Sequence, residues 1–248
     1  MYAAGLTDIG QVRSQNQDAL FISMEPVGLL PNLFIVADGM GGHKAGDVAS
    51  NEAVARFCMH IREAGIPDAD GAVPSFAEVM QAAAEVVNFD LHVLAQGEPS
   101  YEGMGTTFTA GVVVDGRVDM IHVGDSRAYA VSPEQITQLT SDHTYTEELL
   151  RVGRITPEEA RNHPKRHHLT RVFGFDAEVE MDSVTHPLAG VDTLLLCTDG
   201  LTNMLDDPTL MEIINREGYV EDRVKALIDE ANKRGGTDNI SAVLIDMR

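Results

Sequence analysis

Apolar positions along the chain switch between two periods. Residues 1–37 alternate in short runs broken by turn residues, so YAAGLTD, ALFIS and NLFIVAD read as strands. From Ala45 the period lengthens. Ala49, Ala53, Phe57 and Ile61 recur every fourth residue and give a helix one apolar face. A second helix over about 75–95 carries Phe76, Val79, Met80, Ala83, Val87, Leu91 and Leu94 at helical spacing. AGIPDADGAVP, between the two, is a loop by its Gly, Pro and Asp content. Strands return in TTFTAGVVV, VDMIHVG and RAYAVS, the first two joined by the hairpin pair Asp115-Gly116. Residues 141–178 are polar and irregular, with short helical pieces around 144–152 and 156–162. VEMDSVTHPL and TLLLCTD resume the strands, helices follow around 207–216 and 220–233, and ISAVLIDM closes the chain as a strand.

Tight turns between most strands predict antiparallel pairing. Each helical pair has one apolar face and needs a sheet to cover, so the expected class is α+β, in layers. Periodicity leaves open whether there is one sheet or two. The 248 residues are 44% hydrophobic, enough for a sizeable core. No repeat, low-complexity segment or linker divides them, and one domain over 1–248 is expected. Cys58 and Cys197 read as small core residues with no zinc-type spacing and no disulfide framework, which suits a reducing cytosol. No run is long enough for a membrane span, and the N-terminus has no leader pattern. A soluble cytoplasmic protein is therefore expected. A formal charge of −21 predicts repulsion from nucleic acid and anionic membrane surfaces.

The acids that matter stand at strand ends. Asp38 closes LFIVAD, Asp199 closes LLLCTD, and Asp125 follows VDMIHVG. Asp238 precedes the final strand, and Asp18 opens ALFIS. Several have glycine beside them, and a glycine there was expected to admit a ligand or its water shell to the backbone. One Asp-Gly is ordinary turn chemistry. Five acids on apolar strands point instead to oxygen ligands for a hard cation, since carboxylates gathered without one repel and take up protons. Arg13, five residues before Asp18, adds a fork suited to phosphate.

Taken in order, RSQNQD, VADGMGGH, GTT, VGDSR, CTDGL and GGTDNIS resemble the metal-dependent Ser/Thr protein phosphatases of type 2C, in their compact bacterial form. The likeness runs from about residue 5 to residue 246. It implies a four-layer α-β-β-α sandwich of two antiparallel sheets flanked by helix pairs. It also implies two tightly bound Mn²⁺ or Mg²⁺ ions and a weaker third. By the same likeness Asp38 bridges two ions, Gly39 offers its carbonyl, Asp199 and Asp238 bind directly, and Asp18 binds through water. Asp125 joins Asp199 at the third ion, and Arg13 holds the phosphate. A metal-activated hydroxide would attack in line, with no phosphoenzyme. Many eukaryotic members carry a histidine directly after the Asp-Gly pair as acid for the leaving oxygen. Here that position is Met40, and His43, three residues on, is the candidate acid. The alternatives are that His43 orders the loop or a metal's water, the acid then being water itself.

Residues 141–178 match the family's variable flap. They hold six Lys and Arg against seven Asp and Glu, so nearly all the excess negative charge lies elsewhere. HPKRHHLTR, the one basic stretch, either helps attract phosphopeptides or belongs to a solvated flap whose charges pair locally. The expected partners are phosphorylated Ser/Thr proteins and an opposing Ser/Thr kinase, with the chain a monomer. A relative specialised for one regulatory phosphoprotein would carry the same acids, whereas a non-catalytic module on this fold would have lost them.

Overall fold

The computed structural model describes residues 1–42, 45–63 and 74–248. The loop expected at AGIPDADGAVP lies outside these residues, except for its last one. Among the described residues are β1 (Tyr2–Asp8), β2 (Asp18–Ser23), β3 (Leu33–Met40), α1 (Ala45–Glu63) and α2 (Phe76–Gly97). After a 3-10 turn at Pro99–Tyr101 come β4 (Gly105–Thr106), β5 (Phe108–Val114), β6 (Arg117–Val123), β7 (Arg127–Val131) and β8 (Ile136–Gln138). Then follow α3 (Tyr145–Arg151), α4 (Pro157–Arg161), β9 (Asp182–Pro187), β10 (Thr193–Cys197), α5 (Asp199–Thr202), α6 (Asp207–Ile214), α7 (Val220–Lys233) and β11 (Ile240–Asp246).

The strands form two antiparallel sheets. One runs β1-β11-β10-β7-β8, the other β2-β3-β5-β6-β9, with β4 paired to the end of β3. Strand alternation explains the layers. Along β3, Leu33, Ile35 and Ala37 face α1 and α2, while Phe34 and Val36 face the other sheet. On β10, Leu195 and Cys197 face α6 and α7, while Leu194 and Leu196 meet Phe34, Val36 and Met120 across the gap. Strands covered on both faces need continuous apolar runs, which LFIVA and LLLC supply. The expected four-layer α-β-β-α arrangement is therefore present.

Local chemistry sets the boundaries. α2 starts at Ser75, whose hydroxyl accepts the Glu78 N–H while the Glu78 carboxylate accepts the Ser75 N–H. Asp115 and Gly116 both take positive φ, as the β5–β6 hairpin requires. TTFTAGVVV is broken in two at Thr107, because the side chain there is needed elsewhere. VEMDSVTHPL pairs only from Asp182 onward, and β8 and α5 were not anticipated.

The alternation also fixes where the acids go. Asp38 continues the Phe34–Val36 face of β3, so it stands at the end of the layer between the sheets. Leu196 lies in the middle of that layer, 1% exposed. Leu196→Ala lowers the free energy of unfolding by about 2–5 kcal/mol, read from the urea midpoint at unchanged slope. A loss below about 1 kcal/mol would mean that the sheets do not depend on this contact.

Candidate functional site

Five strand ends from both sheets deliver the acids to one place. Asp18 and Asp38 are directly opposed partners on β2 and β3. Asp125 follows β6, Asp199 opens α5 just after β10, and Asp238 lies just before β11. Backbone, hydroxyl and amide groups hold several of them. The Asp38 N–H donates to Thr107 Oγ1 at 2.8 Å, and the Asp38 carbonyl accepts from the Thr107 N–H and Thr106 Oγ1, each at 2.9 Å. Thr107 Oγ1 is in turn 2.7 Å from Ser126 Oγ, beside Asp125. Asp18 Oδ2 accepts from Thr198 Oγ1 at 2.9 Å and from Ser241 Oγ at 2.6 Å. The Asn239 side chain binds Ile9 and Gln15 carbonyls and the Gln17 N–H, and so fixes the RSQNQ loop beside Asp238.

The electrostatics are those of crowded carboxyl groups. Burial, and then the charges of Asp18, Asp199, Asp125 and Asp238, push Asp38 well above the ordinary carboxylate range. Asp38 and Asp199 each act on the other's protonation, so carboxyl groups here take up protons when no cation is bound. Burial raises Asp18 to about 7 against two hydroxyl bonds that lower it. Asp125 is raised by burial and Asp199, and Asp199 by burial and Asp238. Arg13, half exposed, meets Asp238 Oδ2 at 2.7 Å.

A divalent ion fits this place. Asp18 Oδ1 and Asp199 Oδ1 are buried with no hydrogen-bond partner, a costly state for a carboxylate unless a cation takes it up. Among the described residues, no three acidic, histidine or cysteine side chains form a group able to hold one ion by themselves. Water or backbone oxygen would have to complete each coordination shell, as suits Mg²⁺ and Mn²⁺. The oxygen-only donor set agrees with that.

Each sequence-predicted site residue except His43 is seen here. His43 lies outside the described residues. The glycines act differently from expectation. A Cβ on Gly39 would stand 2.0 Å from the Gly46 carbonyl oxygen and 2.7 Å from that of Gln17. A Cβ on Gly200 would stand 1.9 Å from the Asn239 carbonyl oxygen. These glycines let neighbouring acid-bearing segments close on one another, rather than opening room for a ligand.

Sequence reasoning missed the supporting groups Thr107, Ser126, Thr198, Asn239 and Ser241. A signal was present, since each is a hydroxyl or amide inside a quoted motif. It also missed two histidines. His167 Nδ1 reaches within 3.8 Å of Asp199 Oδ2 from the stretch 141–178. His143 grips Gly124 at both ends: its ring Nδ1 accepts the Gly124 N–H at 3.1 Å, and its own N–H donates to the Gly124 carbonyl at 2.8 Å.

Against known proteins, the sequence model of the family described as Protein phosphatase 2C matches residues 10–244. The chain belongs to the protein phosphatase 2C family. It is 37% identical to the serine/threonine phosphatase stp of Listeria innocua, over 99% of this chain and 96% of that one. It is 38% identical to the protein phosphatase PhpP of Streptococcus pneumoniae, over 98% and 96%. The crystal structure of Stp1 from Staphylococcus aureus superposes with a TM-score of 0.90 at 35% identity, covering 99% of this chain and 94% of that one. This phosphatase is therefore a metal-dependent hydrolase of phosphoserine and phosphothreonine in proteins.

Asp18 gives this phosphatase a measurable pH dependence. Its folded pKa of about 7 exceeds the ordinary 3.8, so with no ion bound the fold keeps a proton that the unfolded chain releases. The associated stability is present below 3.8 and is lost as pH rises towards 7, at no more than about 1.4 kcal/mol per unit. Thermal unfolding of chelator-treated protein across this window should show that loss. Asp18→Asn should lessen the slope, and Mn²⁺ added above the window should restore stability. A flat profile would contradict the assignment.

Proposed function

We propose that this phosphatase works with two tightly held Mn²⁺ or Mg²⁺ ions and a weaker third, in a site built from Asp18, Asp38, the Gly39 carbonyl, Asp125, Asp199 and Asp238. The observation that carries the reading is the meeting of these carboxyl groups at one end of the inter-sheet layer, two of them with buried, unpartnered oxygens. Asp38, pressed by four other acids, would be the ligand shared between the ions. Asp199 and Asp238 would hold the ions directly, and Asp18, with one oxygen committed to Thr198 and Ser241, would act through water. Asp125 would join Asp199 at the weaker ion. When bound, such ions lower the pKa of a water and offset charge on the phosphoryl oxygens.

The chain's own groups do the rest. Arg13 is half exposed and already poised on Asp238, so its guanidinium can turn to the non-bridging oxygens of a phosphate. No thiol serves as nucleophile. Burial pushes Cys58 up to about 11 and Cys197 up to about 12, which leaves both inert. Water attacks phosphorus in line, and no phosphoenzyme forms. The proton for the departing Ser or Thr oxygen comes from His43 or from water.

Residues 1–248 act as one catalytic domain, with 141–178 as a flap. Its basic stretch draws phosphopeptides to an otherwise anionic surface, and Lys165 is steadied 5.2 Å above the Tyr145 ring. We place the enzyme in the cytoplasm, as a monomer opposing a Ser/Thr kinase and avoiding nucleic acid and membranes. No described helix is long and apolar enough to cross a membrane.

The test is hydrolysis of a phosphothreonine peptide with Mn²⁺. EDTA should abolish it, and Asp38→Ala should cost at least about 100-fold in kcat/KM. Arg13→Ala should cost about 10–100-fold, the loss of charge-assisted bonds to phosphate. Activity that survives both EDTA and Asp38→Ala would overturn the reading.

A further inference from the structure

Two exposed apolar side chains stand beside the acids on the same face. Asp38 and Met40 are two residues apart on β3, so their side chains project from one face, about 7 Å apart. Opposite Met40, across the β3–β4 pair, is Gly105. Directly opposed residues of an antiparallel pair share a face. A Cβ on Gly105 would stand 2.4 Å from Val172 Cγ1 and 3.5 Å from Phe175 Cβ. The missing side chain of Gly105 is thus replaced by Val172 and Phe175, lying over the strand next to Met40. Met40 remains 36% exposed and Phe175 48%.

Phe175 is not held in water by a slack loop. Gly174 N–H donates to the buried Asn88 Oδ1 at 2.7 Å, and Asn88 Nδ2 donates to the Asp176 and Ala177 carbonyls at 3.0 and 3.1 Å. The Phe175 carbonyl accepts from His92 Nδ1 at 2.8 Å. Phe173 pairs with Thr106 through two backbone bonds and stacks on Phe108, ring centroids 4.8 Å apart. Backbone fixed at this many points fixes where the Phe175 side chain leaves the chain, which lowers the entropy lost on binding. Scattered exposed apolar residues need no explanation, but an exposed apolar pair on the strand and loop next to the acids does.

We propose that Met40, Val172 and Phe175 form an apolar subsite that selects phosphoproteins with a large apolar side chain two residues from the phosphorylated Ser or Thr. The proposal rests on the phosphatase site set out above. In an extended substrate, side chains two residues apart share a face and stand about 7 Å apart. That is the offset between Asp38 and Met40. A phosphoryl group at the acids therefore places the second neighbouring side chain over Met40 and Phe175. The named side chains, Met40, Val172 and Phe175, are apolar and carry no charge for a polar residue there.

The test uses phosphothreonine peptides in pairs, with Leu or Ser at the second position on either side of phosphothreonine, and Mn²⁺ present. The wild type should favour Leu over Ser at one of these positions by about 10-fold in kcat/KM. Phe175→Ala and Met40→Gln should each reduce that ratio to about 2-fold or less, and Phe175→Leu should retain most of it. A ratio between paired peptides is unaffected by a general loss of activity, so a merely structural defect does not imitate this result. Equal rates for Leu and Ser peptides in the wild type, or a ratio that survives both variants, overturn the subsite and leave the phosphatase reading intact. Failure to hydrolyse any of the peptides, with activity on a small aryl phosphate retained, overturns both.

Discussion

Carboxylates do not gather of their own accord. Asp18 and Asp38 face each other across adjacent strands, an arrangement that is unfavourable in an ordinary sheet. The charges of Asp199, Asp125 and Asp238 add to the field on Asp38. This repulsion has to be overcome by packing elsewhere. The two sheets bury Phe34, Val36, Met120, Leu194, Leu196, Val243 and Ile245 between them, and helices cover both outer faces. The acids sit where that layer ends, held by strands that cannot move apart without opening the core. A site strained in this way is typical of function, because the strain is relieved only when the right ligand arrives.

The parts divide their work accordingly. Strand ends carry the acids, and a ring of hydroxyls and amides from Thr107, Ser126, Thr198, Asn239 and Ser241 fixes them. The stretch 141–178 reaches in from the side with His167 near Asp199, and with His143 on the loop before Asp125. Its exit is tied to α2 through Asn88 and His92. The acids are thus placed on the paired sheets, while the stretch 141–178 lies beside them.

Much of this was legible in the sequence, for identifiable reasons. Helices with one apolar stripe, such as α7, are read directly from period. Runs such as LFIVA and LLLC marked doubly covered strands, but not how many sheets they built, because burial on both faces looks the same in either case. The six motifs located the acids without placing them in space. Thr107 interrupts an apparently continuous strand where its hydroxyl takes the Asp38 N–H and meets Ser126, partners that only the folded register brings to the GTT motif. The glycines beside acids were read as openings for a ligand. Gly39 and Gly200 instead admit the backbones of Gly46 and Asn239, since sequence shows a missing side chain but not what fills its place. Met40 drew notice as a departure from the eukaryotic pattern, and its relation to Phe175 depends on a register that pairs it with Gly105.

The central claim is that these acids converge in order to hold divalent ions. It is tested most directly by a crystal structure of the Mn²⁺-loaded protein with an anomalous difference map. The account predicts two strong peaks that both contact the Asp38 carboxylate, one of them also near Asp199 and Asp238. A map with no anomalous peak within coordination distance of Asp38, and with carboxyl groups still paired to one another, would contradict it.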